Sequence, residues 1–299
     1  MKPHADVLLV TVTKVETVAV LDAFREATRR APTVRPMADK TCHDLGDVNG
    51  ARVWLVRSEM GAGGLGAAQQ AITKALAALK PQAVIMVGIA FGTRPGQQHI
   101  GDVLVSQRLA PYELQWVGTV EGQPKIVPFG ARPDASPWLL DRLRAAELSW
   151  RPATVHFGLV LTGEKLVDNL EFRRRLCALE SDGIGGEMEG AGFYVACHDA
   201  KVDWILVKGI CDWADGDKEA DREARQALAA RNAACFVLHT LQQAPLKRET
   251  PPPEPGAERS SLTISQSGSG GLAVGKKNVV AGQGGIAIGG DFKGNLTTN

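Results

Sequence analysis

No surplus of charge of either sign runs through this chain. Its 34 lysines and arginines balance 33 aspartates and glutamates, a formal net charge of +1. The electrostatic footprint that nucleic acid or an anionic membrane surface selects is therefore missing. No apolar run approaches the ~20 residues that a membrane-crossing helix needs. The opening MKPHADVLLVTVT has a short apolar stretch but lacks a small-residue cleavage site, and it reads as a first strand instead of a secretory leader. Paired cysteines are missing too. The five present, Cys42, Cys177, Cys197, Cys211 and Cys235, form no C-x-x-C pair and no metal-ligand spacing, so neither a disulfide framework nor a metal centre is expected. Scattered thiols in odd number suit a reducing compartment. The expectation is a soluble cytoplasmic protein that binds no nucleic acid and no membrane and uses no metal or other cofactor.

What is there is a series of short apolar runs alternating with helical patterns. Val7–Thr13, Ala51–Arg57, Ala83–Gly88, Asp102–Ser106, Val155–Leu161 and Trp204–Val207 read as strands. Glu16–Arg29, Ala67–Leu79, Pro137–Glu147, Val167–Leu179, Gly190–Ala200 and Glu219–Leu241 read as helices. The run AVIMVG within Ala83–Gly88 is apolar throughout, as befits a strand covered on both faces. This alternation predicts an α/β fold, a single large domain over residues 1–245 with a mixed, mostly parallel twisted sheet flanked by helices. Sites in such folds lie at loops leaving the carboxyl ends of strands.

Composition changes after that. Residues 246–260 (LKRETPPPEPGAERS) are rich in proline and charge and predict a stiff, solvated linker. Over residues 261–299 GGLAVG (270–275) recurs as GGIAIG (284–289), fourteen residues on. Apolar residues alternate there with glycine or alanine at period two, a β-like pattern without helical character. The Gly-rich tail is either a disordered appendage or a segment for self-association or for recruiting a sensor protein.

Gly61, Gly63 and Gly66 fit G-x-G-x-x-G after a strand and before a helix. A dinucleotide site also needs an acid near the end of the next strand, and AVIMVGIA has none. A tight strand-to-helix turn and a ligand loop of another kind remain open. The spacing after Asp212 lacks the D-x-D-x-D-G order of a calcium loop.

Three separated acids stand at or just past predicted strand ends: Glu16, Glu189 within GGEMEGAG (185–192), and Asp212 at the end of WILVKGICD. With V-G-I-A-F-G (87–92), G-D-V-L-V-S (101–106), T-G-E-K-L (162–166), E-M-E-G-A (187–191) and K-G-I-C-D-W-A-D (208–215), they make an ordered set. Over roughly residues 5–242 this set resembles the superfamily of purine nucleoside phosphorylases and methylthioadenosine/adenosylhomocysteine nucleosidases. The G-I-x-D-x-A-D-x-x-K pattern around Asp212 also resembles nucleosidase-like effector domains of bacterial immunity and NLR-type proteins, some of which degrade adenine nucleotides, and a salvage enzyme has no obvious need for the linker and tail.

The resemblance implies a purine N-glycosidase. Asp212 would protonate the departing base, which asks for a carboxyl held above its usual range. Glu189 would accept the ribose 2′- and 3′-hydroxyls; Glu16 would deprotonate the attacking water. Met188, Glu187, Gly88, Ile89, Ala90, Glu164, Lys165 and Leu166 would border the substrate, with Glu187 alternatively a support paired to a nearby cation. The glycines at 185, 186 and 190 would let backbone approach the ligand. Phosphorylases of the superfamily grip phosphate with an R-x-G-S arrangement; here its arginine and serine positions are Met86 and Ile89. Hydrolysis is therefore expected over phosphorolysis, with Arg57 and Lys218 as possible phosphate contacts and Arg173–Arg175 as either a 5′-phosphate site or a solvated helix face. A salvage phosphorylase or methylthioadenosine/adenosylhomocysteine nucleosidase, and a non-catalytic nucleotide-sensing module, are the alternatives. The resemblance also implies a homo-oligomer.

Overall fold

The computed structural model describes residues 4–37, 39–217, 221–246, 273–275 and 287–289. The first apolar run forms β1 (Val7–Thr11), buried at every residue. Thr13 then caps α1 (Lys14–Thr28) through a reciprocal capping box with Glu16. An antiparallel edge follows, β2 (Thr33–Met37), β3 (Lys40–Val48) and β4 (Ala51–Arg57). Its second hairpin turns at Asn49-Gly50, both at positive φ (48° and 80°), the dihedrals that tight hairpins favour. α2 (Ala68–Leu79) ends at Lys80, in the left-handed conformation with φ 47°, just before Pro81.

The central strand β5 (Ala83–Gly92) runs further than its apolar core. β6 (Val103–Pro111) leads to a separate hairpin, β7 (Gln115–Val120) with β8 (Gln123–Pro128), and then to α3 (Pro137–Glu147) and β9 (Val155–Thr162). The helix expected from Val167 begins instead at Leu170, because the Asn169 side chain accepts the Phe172 N–H at 2.8 Å and caps it there. It forms α4 (Leu170–Leu179) and precedes β10 (Gly183–Glu187), α5 (Gly190–Asp199), β11 (Asp203–Asp212) and α6 (Arg222–Gln243).

Nine strands form one mixed sheet in the order β10-β9-β6-β11-β5-β1-β4-β3-β2. β5 pairs in parallel with both β1 and β11. β10 pairs in parallel with β9 and antiparallel with the end of β5, at Gly185↔Gly92 and Gly186↔Phe91, which closes one part of the sheet on itself. Only glycine permits that closure. A Cβ on Gly185 would stand 2.5 Å from the Phe91 carbonyl oxygen, and one on Gly186 2.3 Å from the Phe91 ring. The glycines at 185 and 186, expected to let backbone approach a ligand, thus first serve strand packing, and the first three residues of GGEMEGAG belong to the buried strand β10.

Apolar side chains of β1, β4, β5, β6 and β11 form the core with α1, α2, α5 and α6. Among the described residues no helix is long and apolar enough to cross a membrane. The chain divides into two compact units, Met1–Arg248 and Glu249–Asn299. In the second, β12 (Ala273–Gly275) and β13 (Ala287–Gly289) pair in parallel. The expected linker beyond residue 246, and the remainder of the tail, lie outside the described residues.

Candidate active site

A cavity of about 360 Å³ opens at the carboxyl ends of β1, β5, β10 and β11. Glu16, Glu189 and Asp212 all line it, together with Glu187, Met188, Ile89, Ala90, Lys165 and Leu166. The three separated acids of the sequence therefore meet in one place.

Glu16 is 3% exposed. Its Oε2 accepts the N–H groups of Val12 (2.9 Å) and Thr13 (2.6 Å), and its Oε1 accepts that of Ile89 at 2.8 Å. Three backbone donors, two of them at the N-terminus of α1, fix the orientation of this side chain. Gly88 makes this possible without touching the cavity itself: a Cβ there would come within 2.3 Å of Glu16 Oε1.

Glu187 and Glu189 divide their work. Glu187 accepts the backbone N–H groups of Glu189 (3.0 Å) and Gly190 (2.9 Å), holding the β10–α5 turn. A Cβ on Gly190 would lie 2.6 Å from Glu187 Oε1, so this glycine makes room for a carboxylate. Glu189 accepts the Gly61 N–H at 3.2 Å. The glycine-rich loop is thus a carboxylate-holding loop, and neither a dinucleotide site nor a mere turn.

The cation that unites them is Lys208, which the sequence reading did not single out. It stands on β11, 1% exposed, with Nζ 3.4 Å from both Glu187 Oε2 and Glu189 Oε2. Burial opposes its charge, but Glu189, Glu187 and Glu16 outweigh burial and hold the ammonium above its ordinary range. Burial in turn pushes the Glu189 carboxyl up to about 7, with Glu187 and Glu16 adding to the rise and Lys208 opposing it. The two directions agree: with one lysine among three buried acids, burial and its acidic neighbours keep the Glu189 carboxyl well above its usual range despite the lysine. A lysine inside the apolar run WILVKGICD was the available signal, since lysine is almost never fully buried unless paired.

Asp212 ends β11 and is 5% exposed. Its Oδ1 accepts the Ala214 N–H at 3.0 Å, and Oδ2 lies 3.2 Å from the Cys211 thiol. The following loop is gripped from α4 and from the segment just before it. The Arg173 guanidinium, 8% exposed, donates to the Trp213 carbonyl, and Asp168 accepts the Gly216 N–H at 3.1 Å. Arg173 is therefore neither a solvated helix face nor a residue lining the cavity; its neighbour Arg175 pairs on the surface with Glu171.

The remaining expected contacts scatter. Lys165 lines the cavity while ion-paired to Glu113, and Leu166 is 58% exposed at its rim. Glu164 turns away, accepting the Ala62 N–H at 3.2 Å. Arg57 is spent on the Val12 carbonyl, its Nε donating at 2.9 Å, and does not line the cavity. Lys218 lies outside the described residues. Two other cations stand in the lining instead, Lys14 at the start of α1 and Arg222 at the start of α6.

Comparison with known proteins decides the family. The family model of the Phosphorylase superfamily matches residues 15–242. The chain belongs to this superfamily. It is 29% identical over 198 residues to a death domain-containing ATP nucleosidase of Amphimedon queenslandica, covering 58% of this chain and 36% of that protein. It is 28% identical over 196 residues to ATP nucleosidase Cap17 of Escherichia coli, covering 57% of this chain and 38% of that protein. The chain thus spans little more than a third of the length of these two relatives. A 5′-methylthioadenosine/S-adenosylhomocysteine nucleosidase of Actinobacillus succinogenes is 29% identical over 221 residues, covering 69% of this chain and 91% of that protein. Among solved structures, the fold is similar to that of the 5′-methylthioadenosine/S-adenosylhomocysteine nucleosidase of Neisseria meningitidis in complex with methylthio-immucillin-A. That likeness has a TM-score of 0.66 at 21% identity and covers 82% of this chain and all of that one. Within the superfamily fold, this cavity occupies the strand-end position at which open α/β sheets bind ligands.

Proposed function

We propose that this chain is an N-glycosyl hydrolase that releases the free base, adenine by preference, from a purine nucleoside or nucleotide. The observation that carries the proposal is an imbalance of buried charge: Glu16, Glu187 and Glu189 surround one cation, Lys208, beside a cavity that Asp212 also lines. A cluster short of positive charge favours a reaction that develops it. Breaking a ribosyl–purine bond does so, because the sugar becomes cationic as the base departs.

Asp212 donates a proton to purine N7, and the C1′–N9 electron pair leaves with the base. Hydroxyls at ribose 2′ and 3′ donate to Glu189 and favour its ionised form. Water attacks C1′ and yields its proton to Glu16, whose fixed orientation aims it. Met188 packs against the sugar, while Lys165 and Leu166 border the base. Water suits this site better than phosphate. Met86 is buried in β5, and Ile89 offers only a backbone N–H, which Glu16 takes. Nothing at these two positions repays the desolvation of a phosphate dianion.

Lys14 and Arg222 in the lining support a 5′-phosphorylated substrate, as do the two relatives named ATP nucleosidases. A second reading, methylthioadenosine or adenosylhomocysteine, draws on the apolar lining from Val12, Met60 and Phe91 and on the Actinobacillus relative. Chromatographic release of adenine from ATP, AMP, adenosine and methylthioadenosine at equal concentration separates the two. Fastest release from ATP is expected. Preference for methylthioadenosine would assign the second reading, and no base from any of the four would overturn both.

A further inference from the structure

The repeat in the second unit is the motif that this chemistry leaves unused. GGLAVG (270–275) and GGIAIG (284–289) each contribute one strand, and those strands pair in parallel with the repeat in phase. Ala273 faces Ala287, Val274 faces Ile288, and Gly275 faces Gly289. The step that carries β12 onto β13 is thus one repeat of sequence and one rung of a ladder. The sheet they form has two strands, so each has an outer edge paired to no described residue. A two-stranded sheet of three-residue strands is too small to persist by itself, and unpaired parallel edges recruit further strands.

The phase determines what fits those edges. An added strand continues the ladder only if it brings the same spacing of glycine, alanine and branched aliphatic, so that small residues again meet small and aliphatic meets aliphatic. Charge agrees with stacking of like repeats. Lys277 and Asp291 stand fourteen residues apart, the spacing of the repeat, so equivalent sequence positions of successive repeats carry opposite charges. Identical charges at that position would repel in a stack. We infer that the tail is a homotypic assembly element. The β12–β13 ladder of one chain grows in phase by adding the same two repeats from a second copy, through backbone hydrogen bonds at the outer edges that pair with no described residue. This does not depend on the reaction proposed for the first unit.

The test uses the full chain. Sedimentation velocity across a concentration series, with X-ray diffraction from any pelleted material, should show assemblies larger than the catalytic unit's own oligomer and a reflection near 4.7–4.8 Å from strand spacing. Val274→Pro combined with Ile288→Pro removes a ladder donor from each strand, and the assembled fraction should fall about tenfold or more. Base release per chain in dilute solution should stay at the wild-type value, which shows an intact first unit. Lys277→Asp should hinder assembly by stacking like charges, and adding Asp291→Lys to it should restore assembly. The inference is overturned if the double-proline chain assembles like wild type, or if the charge swap rescues nothing. It is equally overturned if wild type enters large assemblies only after a different protein is added.

Discussion

Lys208→Met removes the one cation from the buried cluster while keeping length and apolar bulk. Nζ lies 3.4 Å from Glu187 and from Glu189, and the side chain is 1% exposed. Breaking a buried ion pair from one side costs about 3–5 kcal/mol, because the partners stay buried without compensation. Proton uptake sets where in that range the loss falls. Glu189 stands at about 7 against an ordinary 4.5, so for this group the folded protein binds more protons than the unfolded chain. Its contribution to stability is therefore greatest below about 4.5 and declines as pH rises to about 7, then levels off. Without Lys208 the carboxyl rises further, so the variant keeps losing about 1.4 kcal/mol per pH unit above 7 where wild type is flat. The expected loss is about 3 kcal/mol at pH 6 and about 4–5 kcal/mol at pH 8. Urea unfolding followed by tryptophan fluorescence at the two pH values measures it. A loss below about 1 kcal/mol, or an equal loss at both pH values, would refute the buried-cluster argument.

Gly88→Ala sets a methyl group 2.3 Å from Glu16 Oε1. It should cut kcat about 100-fold by displacing Glu16 from the Ile89 N–H while costing about 1–3 kcal/mol of stability; unchanged kinetics would remove Glu16 from the reaction. Arg173→Met frees the Trp213 carbonyl and should lower kcat about tenfold or more with a smaller change in KM, because Asp212 is then less well aimed. Arg173→Lys should recover part of that loss, and equal kinetics in all three proteins would make the contact irrelevant to Asp212. Arg222→Leu should reduce kcat/KM for ATP about tenfold or more, the worth of one charge-assisted hydrogen bond, and should affect adenosine far less. Equal losses on both substrates would argue that Arg222 does not meet the 5′-phosphates.

Much of the α/β core was legible because its strands are β-branched runs and its helices amphipathic. The apolar run at Ala83–Gly88 became the middle of β5, and Pro137–Glu147 kept its predicted bounds. The edge strands β2 and β3 went unread because β2 is mostly exposed and β3 mixes polar residues into its buried positions, although the Asn49-Gly50 turn marked the hairpin of β3 with β4. β10 was unreadable for a different reason. Its GIGGE carries almost no β propensity, and it is a strand because bare backbone fits against Phe91. At the site, the order of motifs found the three acids, but solitary side chains misled. Arg57 and Arg173 are cations bound to backbone carbonyls, and Lys208 is one that charge balance drew inside. Such partners come from distant strands and loops, so local pattern does not reveal them.

The central claim is that water, and not phosphate, cleaves the ribosyl–purine bond with Asp212 as the acid. Its most direct test is chromatographic quantitation of free adenine from ATP in phosphate-free buffer and in phosphate buffer, with wild type beside Asp212→Asn. The account predicts equal release by wild type in both buffers, with ribose carrying a hydroxyl at C1′, and a fall in kcat of about 10²–10⁴ in the variant. Release that requires phosphate and yields a sugar 1-phosphate, or an Asp212→Asn protein as active as wild type, would contradict it.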